Sequence, residues 1–140
     1  MENIVKMRHT LESRLERARR WHSEGYNCSQ CVAMAFDDLH NLDNAIVARL
    51  SSGFGGGVGG QRQVCGAVSG MTLIIGLTGY DTPAGKQELY RTVRHYSDEF
   101  LRRNGSIVCG ELLAPGRKPC MSLIEDAITI LHNRMENTVK

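Results

Sequence analysis

The chain lacks a marked excess of either charge. Its 17 Lys and Arg face 15 Asp and Glu, a formal net charge of +2 with His neutral. A dedicated nucleic-acid binder carries a clear basic excess, so that class is set aside. No alternating apolar–polar run survives anywhere, which removes a β-sheet core. No Ser/His/Asp arrangement and no paired-carboxylate site can be assembled from the spacing. The N-terminal Met1-Glu2-Asn3-Ile4-Val5-Lys6 is charged and lacks the long apolar stretch of a secretory leader. That points to the cytoplasm, where thiols are kept mostly reduced. Domain boundaries, internal repeats and low-complexity tails are also missing, so residues 1–140 read as one domain.

Long apolar runs are scarce. Only residues 63–80 carry no charge over a length that raises a membrane span. Gly66, Gly70, Gly76 and Gly79, with Ser69, Thr72 and Thr78, fit a buried central helix better. A 140-residue chain buries roughly 68–70% of its unfolded surface, so its core needs no disulfide staples.

What the chain does have is helical periodicity. Ile4, Met7, Leu11, Leu15, Ala18 and Trp21 recur at steps of three or four and predict an amphipathic helix. Arg14, Glu16, Arg17, Arg19 and Arg20 fall mostly off that seam and read as a solvated face. Gly25-Tyr26-Asn27 breaks it, and Asn27 is a cap for a second helix carrying Val32, Ala35, Phe36 and Leu39. Asp43 caps a third over residues 45–50. A glycine-dense loop covers residues 51–60, and a fourth helix follows over residues 64–77. Thr82-Pro83 opens the next, with Leu89, Val93, Tyr96 and Phe100, and Asn104-Gly105 ends it. Residues 106–113 give one or two turns. The last helix shows Leu123, Ile124, Ala127, Ile128, Leu131 and Met135, opened by Pro119 or by a Ser122–Glu125 capping box. The fold class is all-α, a compact bundle of about five to six helices with the glycine loop before the central one.

Five cysteines are the chemical signal: Cys28, Cys31, Cys65, Cys109 and Cys120. Four of them fall at or near predicted helix starts. Unpaired N–H groups and the positive dipole end there favour the thiolate, which is both nucleophile and metal ligand. Cys28-Ser29-Gln30-Cys31 is a C-x-x-C whose sulfurs share a helix face, the geometry of a dithiol pair. The thioredoxin reading of that motif wants a βαβ context, and none is visible. Arg62 before Cys65, and Arg117-Lys118 before Cys120, are cations that lower a thiol pKa. Against this, cysteine also packs as a small inert hydrophobe. Only Cys28 and Cys31 are closely spaced, which argues against a zinc ribbon. A site assembled from several helices is still open to zinc or an iron–sulphur cluster.

Gly55-x-Gly57-x-x-Gly60, with Asp81 downstream, meets the dinucleotide pattern formally. The segment before it reads as helix where the fingerprint needs a strand, and no Walker lysine follows. The loop reads instead as a tight turn near Cys65 whose N–H groups are available to a sulfur or anion. His9, His22, His40, His95 and His132 are scattered, with His22 and His95 the two worth following.

Cys28, then Cys65-Gly66-Ala67-Val68-Ser69-Gly70, then Cys109, then Cys120 resembles the redox-active four-cysteine family, whose signature here runs C…CGAxxG…C…C. Gly25-Tyr26-Asn27-Cys28, the glycine loop and the Asn104-Gly105-Ser106…Cys109 segment match as well, so the resemblance spans about residues 20 to 130. It implies a small helical protein whose Cys28, Cys65, Cys109 and Cys120 share one site. Cys31 is a departure, because the family pattern does not require it.

Three functions follow as expectations. In the first, a low-pKa thiolate, Cys28 or Cys65, attacks a disulfide or oxidant and a second cysteine resolves it. A small thiol or disulfide, or a redox protein, would be the partner. In the second, the same four cysteines hold an iron–sulphur cluster or zinc. Gly57, Gly66 and Gly70 are the candidates to let backbone approach a bound group in either case. In the third, the cysteines are inert core. Gly66 and Gly70 also suit a helix contact, within one chain or in a homodimer.

Overall fold

The computed structural model of the protein describes residues 8–114 and 119–139, the side chains of 137–139 excepted. Among the described residues there are eight α-helices and no strand. Six of the helices have seven or more residues, and the core runs continuously through them.

Helix α1 spans Leu11–Ser23 and is capped by Thr10, whose hydroxyl accepts from the Ser13 N–H. The expected run from Ile4 does not continue unbroken into this helix: residues 8–10 are not helical, Thr10 is extended at φ −79°, ψ 165°, and Ile4 and Met7 lie outside the described residues. Helix α2, Cys28–Met34, opens on a full capping box: the Asn27 side chain takes the Gln30 N–H and Gln30 returns the contact. Helices α3, Asp37–His40, and α4, Asn44–Ser51, follow, the latter capped by Asp43 as expected.

Helix α5, Gly66–Gly79, is the central apolar helix, with Cys65 as its cap residue. It packs most extensively on α2, and also on α6 and α8. Gly70 makes that contact close. A Cβ there would lie 2.8 Å from the Val32 Cβ and 2.9 Å from the Ser29 carbonyl oxygen. Among the described residues no helix is long and apolar enough to cross a membrane.

After a 3-10 turn at Pro83–Gly85 comes α6, Lys86–Asn104. Gly105, at φ 86°, ends it by donating its N–H to the Leu101 carbonyl at 2.7 Å. Helix α7 is the single turn Cys109–Leu112, and α8 is Cys120–Val139. Part of the loop expected over residues 114–119 lies outside the described residues.

Two further expectations are corrected. The second helix does not run through to Leu39. It stops at Met34, with Phe36 off helical geometry at φ −112°, ψ 34°. The carbonyl of Ala35, which a continuing helix would spend on residue 39, accepts from Arg14 at 2.7 Å, and Leu39 bonds to Phe36 instead.

The second correction is Arg14 itself, which is fully buried rather than solvated. It grips Asp38 at 2.8 and 3.0 Å, donates from Nε to His132 Nδ1 at 2.9 Å, and lies over the Phe36 ring. A buried charge needs such partners. They come from distant parts of the chain, so the local pattern around Arg14 carries no trace of them.

Candidate functional site

Each of Cys28, Cys65, Cys109 and Cys120 opens a helix. Cys28, Cys109 and Cys120 are the first residues of α2, α7 and α8, and Cys65 caps α5. The chain brings them together by two devices. One is an antiparallel bridge between Val64 and Val108, the residues just before Cys65 and Cys109. Cys65 donates its N–H to the Ile107 carbonyl at 2.8 Å and Cys109 to the Gln63 carbonyl at 2.6 Å.

The other device is Gly66. A Cβ on this residue would collide with the Cys28 sulfur and would lie 3.0 Å from the Phe54 carbonyl oxygen. Glycine therefore leaves the Cys28 sulfur its place beside the first turn of α5.

The four sulfurs line one cavity of about 100 Å³, shared with Gly56, Arg62, Gly66, Leu113 and Leu123. Cys65 and Cys109 are buried, and Cys28 and Cys120 are half-buried. All five cysteines are free thiols. Among the described lining residues Arg62 supplies the charge, its guanidinium Nη1 lying 3.8 Å from the Cys109 sulfur; Arg117 and Lys118, expected beside Cys120, lie outside the described residues. Sequence spacing pairs Arg62 with Cys65, three residues on. The bridge turns it to Cys109 instead, a contact across the fold that only the Val64–Val108 pairing creates.

Burial decides two of the thiols against the helix-start argument. It pushes Cys65 up to about 11; the N–H groups of Ala67 and Val68 pull back in part, and Cys28 and Cys109 add to the rise. Cys120 is also raised, first by burial and then by Cys28 and Cys109, with Arg62 opposing. At both, burial disfavours the thiolate. Cys65 and Cys120 each feel the same two neighbours, Cys28 and Cys109, so the four groups form an interacting ring.

Cys31 feels Cys28 as well, but it does not line the cavity. It is fully buried in the core, its S–H pointing to the Tyr26 carbonyl at 3.7 Å, and burial pushes it up to about 12. The C-x-x-C is thus split between cavity and core, and its two sulfurs do not present one reactive face. Gly70 serves the α2–α5 contact. Gly57, at φ 74°, sits where a Cβ would strike the backbone of Arg62 and Gln63. Of the three candidate glycines, only Gly66 lines the cavity.

The second half of the glycine loop spends its donors on the first. The N–H groups of residues 58–63 bond to carbonyls within residues 53–58. A 3-10 turn, not a strand, precedes it, so the dinucleotide context is absent. His22 is exposed and His95 meets Arg134 at 3.1 Å; neither lines the cavity.

A model of the family described as "Putative redox-active protein (C_GCAxxG_C_C)" matches residues 26–134, and this stretch holds all four cavity cysteines. The chain belongs to the C_GCAxxG_C_C family. It is similar to an uncharacterized protein of Archaeoglobus fulgidus, 23% identical over 77% of this chain and 83% of the relative. No solved structure matches the chain. The fold gives the family's glycines separate tasks in this chain: Gly66 makes room for a cavity sulfur, and Gly70 lets two helices close.

Four thiols are a donor set that zinc or an iron–sulphur cluster takes. Among the described residues, however, no three Cys, His, Asp or Glu side chains are drawn together so as to hold a metal ion. The arrangement as it stands is a ring of thiols around a small cavity.

Proposed function

We propose that Cys28, Cys65, Cys109 and Cys120 form one thiol redox centre, which cycles between free thiols and an intramolecular disulfide. The observation that carries this reading is their convergence, from four separate helix starts, on a single cavity beside Arg62. Inert core cysteines have no reason to meet around a shared space with an arginine at its wall.

The division of labour follows from burial. Burial disfavours the thiolate at Cys65 and Cys120, and Arg62 lies against Cys109, so we assign the attack to Cys109 or to the half-buried Cys28. That thiolate attacks an oxidant or a disulfide. A neighbouring cysteine of the ring then attacks the modified sulfur, displaces the leaving group and closes the internal disulfide.

The same donor set supports a second reading, in which the cavity seats an iron–sulphur cluster and the cysteines serve electron transfer. One measurement separates the two. Metal and acid-labile sulfide are counted per chain on protein purified without oxygen and without an affinity metal column. The thiol centre predicts substoichiometric metal and one disulfide per chain that forms with oxidant and reverses with dithiothreitol. Near-stoichiometric iron with sulfide would replace it with the cluster reading.

A further inference from the structure

Arg62 is the unusual residue of the cavity wall. It has a long side chain, yet its φ is +63°, in the left-handed region that such residues rarely adopt. The fold clamps it there from both sides. Its N–H donates to the Gly56 carbonyl at 2.9 Å, and its own carbonyl accepts from the Gly110 N–H at 3.2 Å. The next residue before Gly110 is Cys109, whose sulfur faces the guanidinium. Strain of this kind persists where surrounding structure over-determines it, and it clusters at functional sites.

The cavity is also small. About 100 Å³ holds a few water-sized molecules. Cys109 is 5% exposed and Cys65 4%. A disulfide carried on a protein, or on a peptide the size of oxidised glutathione, does not fit against those sulfurs. A hydroperoxide of two or three heavy atoms does.

We propose that Arg62 makes Cys109 the attacking thiolate of the centre, and that its oxidant is a small hydroperoxide. This inference rests on the thiol-centre reading. The Cys109 thiolate attacks the terminal peroxide oxygen, the O–O bond breaks, and the alkoxide or hydroxide leaves and takes a proton from water. The sulfur is oxidised to a sulfenic acid and the peroxide is reduced to an alcohol or water. Cys65 or Cys120, each within electrostatic reach of Cys109, then attacks that sulfur. Hydroxide departs with the resolving thiol's proton as a second water, and the disulfide forms. Arg62 acts by offering N–H donors, first to the attacking sulfur and then to the oxygen on which charge develops.

The test follows each cysteine of the full-length reduced protein by pulsed alkylation and peptide mass spectrometry. Hydrogen peroxide, tert-butyl hydroperoxide and oxidised glutathione are added in turn, from pH 5 to 10. Cys109 is expected to oxidise first, and fastest with hydrogen peroxide. Arg62→Gln is expected to slow it about tenfold at pH 7. Arg62→Lys keeps the charge and should recover much of the rate.

Arg62→Gly separates chemistry from structure. It relaxes the left-handed backbone, so the melting temperature should hold or rise while Cys109 slows as in Arg62→Gln. An unchanged Cys109 rate in both Arg62→Gln and Arg62→Gly overturns the role of Arg62. Oxidised glutathione reacting as fast as hydrogen peroxide overturns the choice of oxidant. If a different cysteine reacts first and a reversible disulfide still forms, this inference fails and the thiol centre stands. If no cysteine oxidises reversibly, the centre itself is lost.

Discussion

Cys28 and Cys31 show how far a motif reaches at the level of single residues. Three positions apart on one helix, they read as a redox pair, yet one sulfur meets the cavity and the other is sealed in the core. Cys31→Ala should therefore leave the internal disulfide and its rate of formation unchanged. It should cost about 1 kcal/mol in urea unfolding of the reduced protein, the usual scale for a small core truncation. Loss of the disulfide in this variant would put Cys31 back into the centre. The four cavity cysteines were legible because the order C…CGAxxG…C…C is specific and each helix start carries a local signal. The pKa directions of Cys65 and Cys120 were not. The helix-start argument favours the thiolate, whereas at Cys65 burial outweighs two N–H groups, and burial is a property of the whole fold.

At the level of elements, α5 and α2 depend on two missing side chains. Gly70→Ala places a methyl against the Val32 side chain and the Ser29 backbone, and the backbone cannot turn aside as a side-chain tip can. Overpacking of this kind costs about 1–3 kcal/mol. Denaturant titration of the reduced protein should show that loss, with the cysteines still able to pair. Gly66→Ala acts on chemistry instead, because its methyl takes the space of the Cys28 sulfur. Alkylation of Cys28 should accelerate as the sulfur is pushed out of the cavity. An unaltered Cys28 rate would mean that the sulfur is not held there. Caps at Asn27, Asp43 and Gly105 are decided within a few residues of themselves, which is why those boundaries were readable. The break after Met34 is decided by Arg14, a full helix away, and local periodicity passes through it without a mark.

Across the whole molecule, Arg14 ties α1 to α3, to α8 and to the α2–α3 junction through Asp38, His132 and the Ala35 carbonyl. This tie sets how stability responds to acid. His132 accepts from Arg14 at Nδ1, so its ring is neutral with the proton on Nε2. Burial lowers its pKa, and the Arg14 charge lowers it further. His40 is lowered too, by burial. Below the unfolded value of about 6.5, the unfolded chain gains protons that the folded chain refuses, so stability falls as pH falls through that window. Asp38 works in a lower range. Burial alone would raise it, but the hydrogen bonds and charge of Arg14 and the N–H groups of Arg8 and His9 prevail, and the net direction is down. Its contribution is intact above about pH 4 and is lost as pH drops through the folded value. Unfolding free energies from pH 3 to 8 should thus decline in two stages. His132→Gln, which keeps an acceptor for the Arg14 Nε, should flatten the upper stage, leave the His40 share, and spare the lower stage. An upper stage unmoved by His132→Gln would mean that His132 does not refuse its proton in the folded protein, and the neutral-acceptor contact with Arg14 would fall with it.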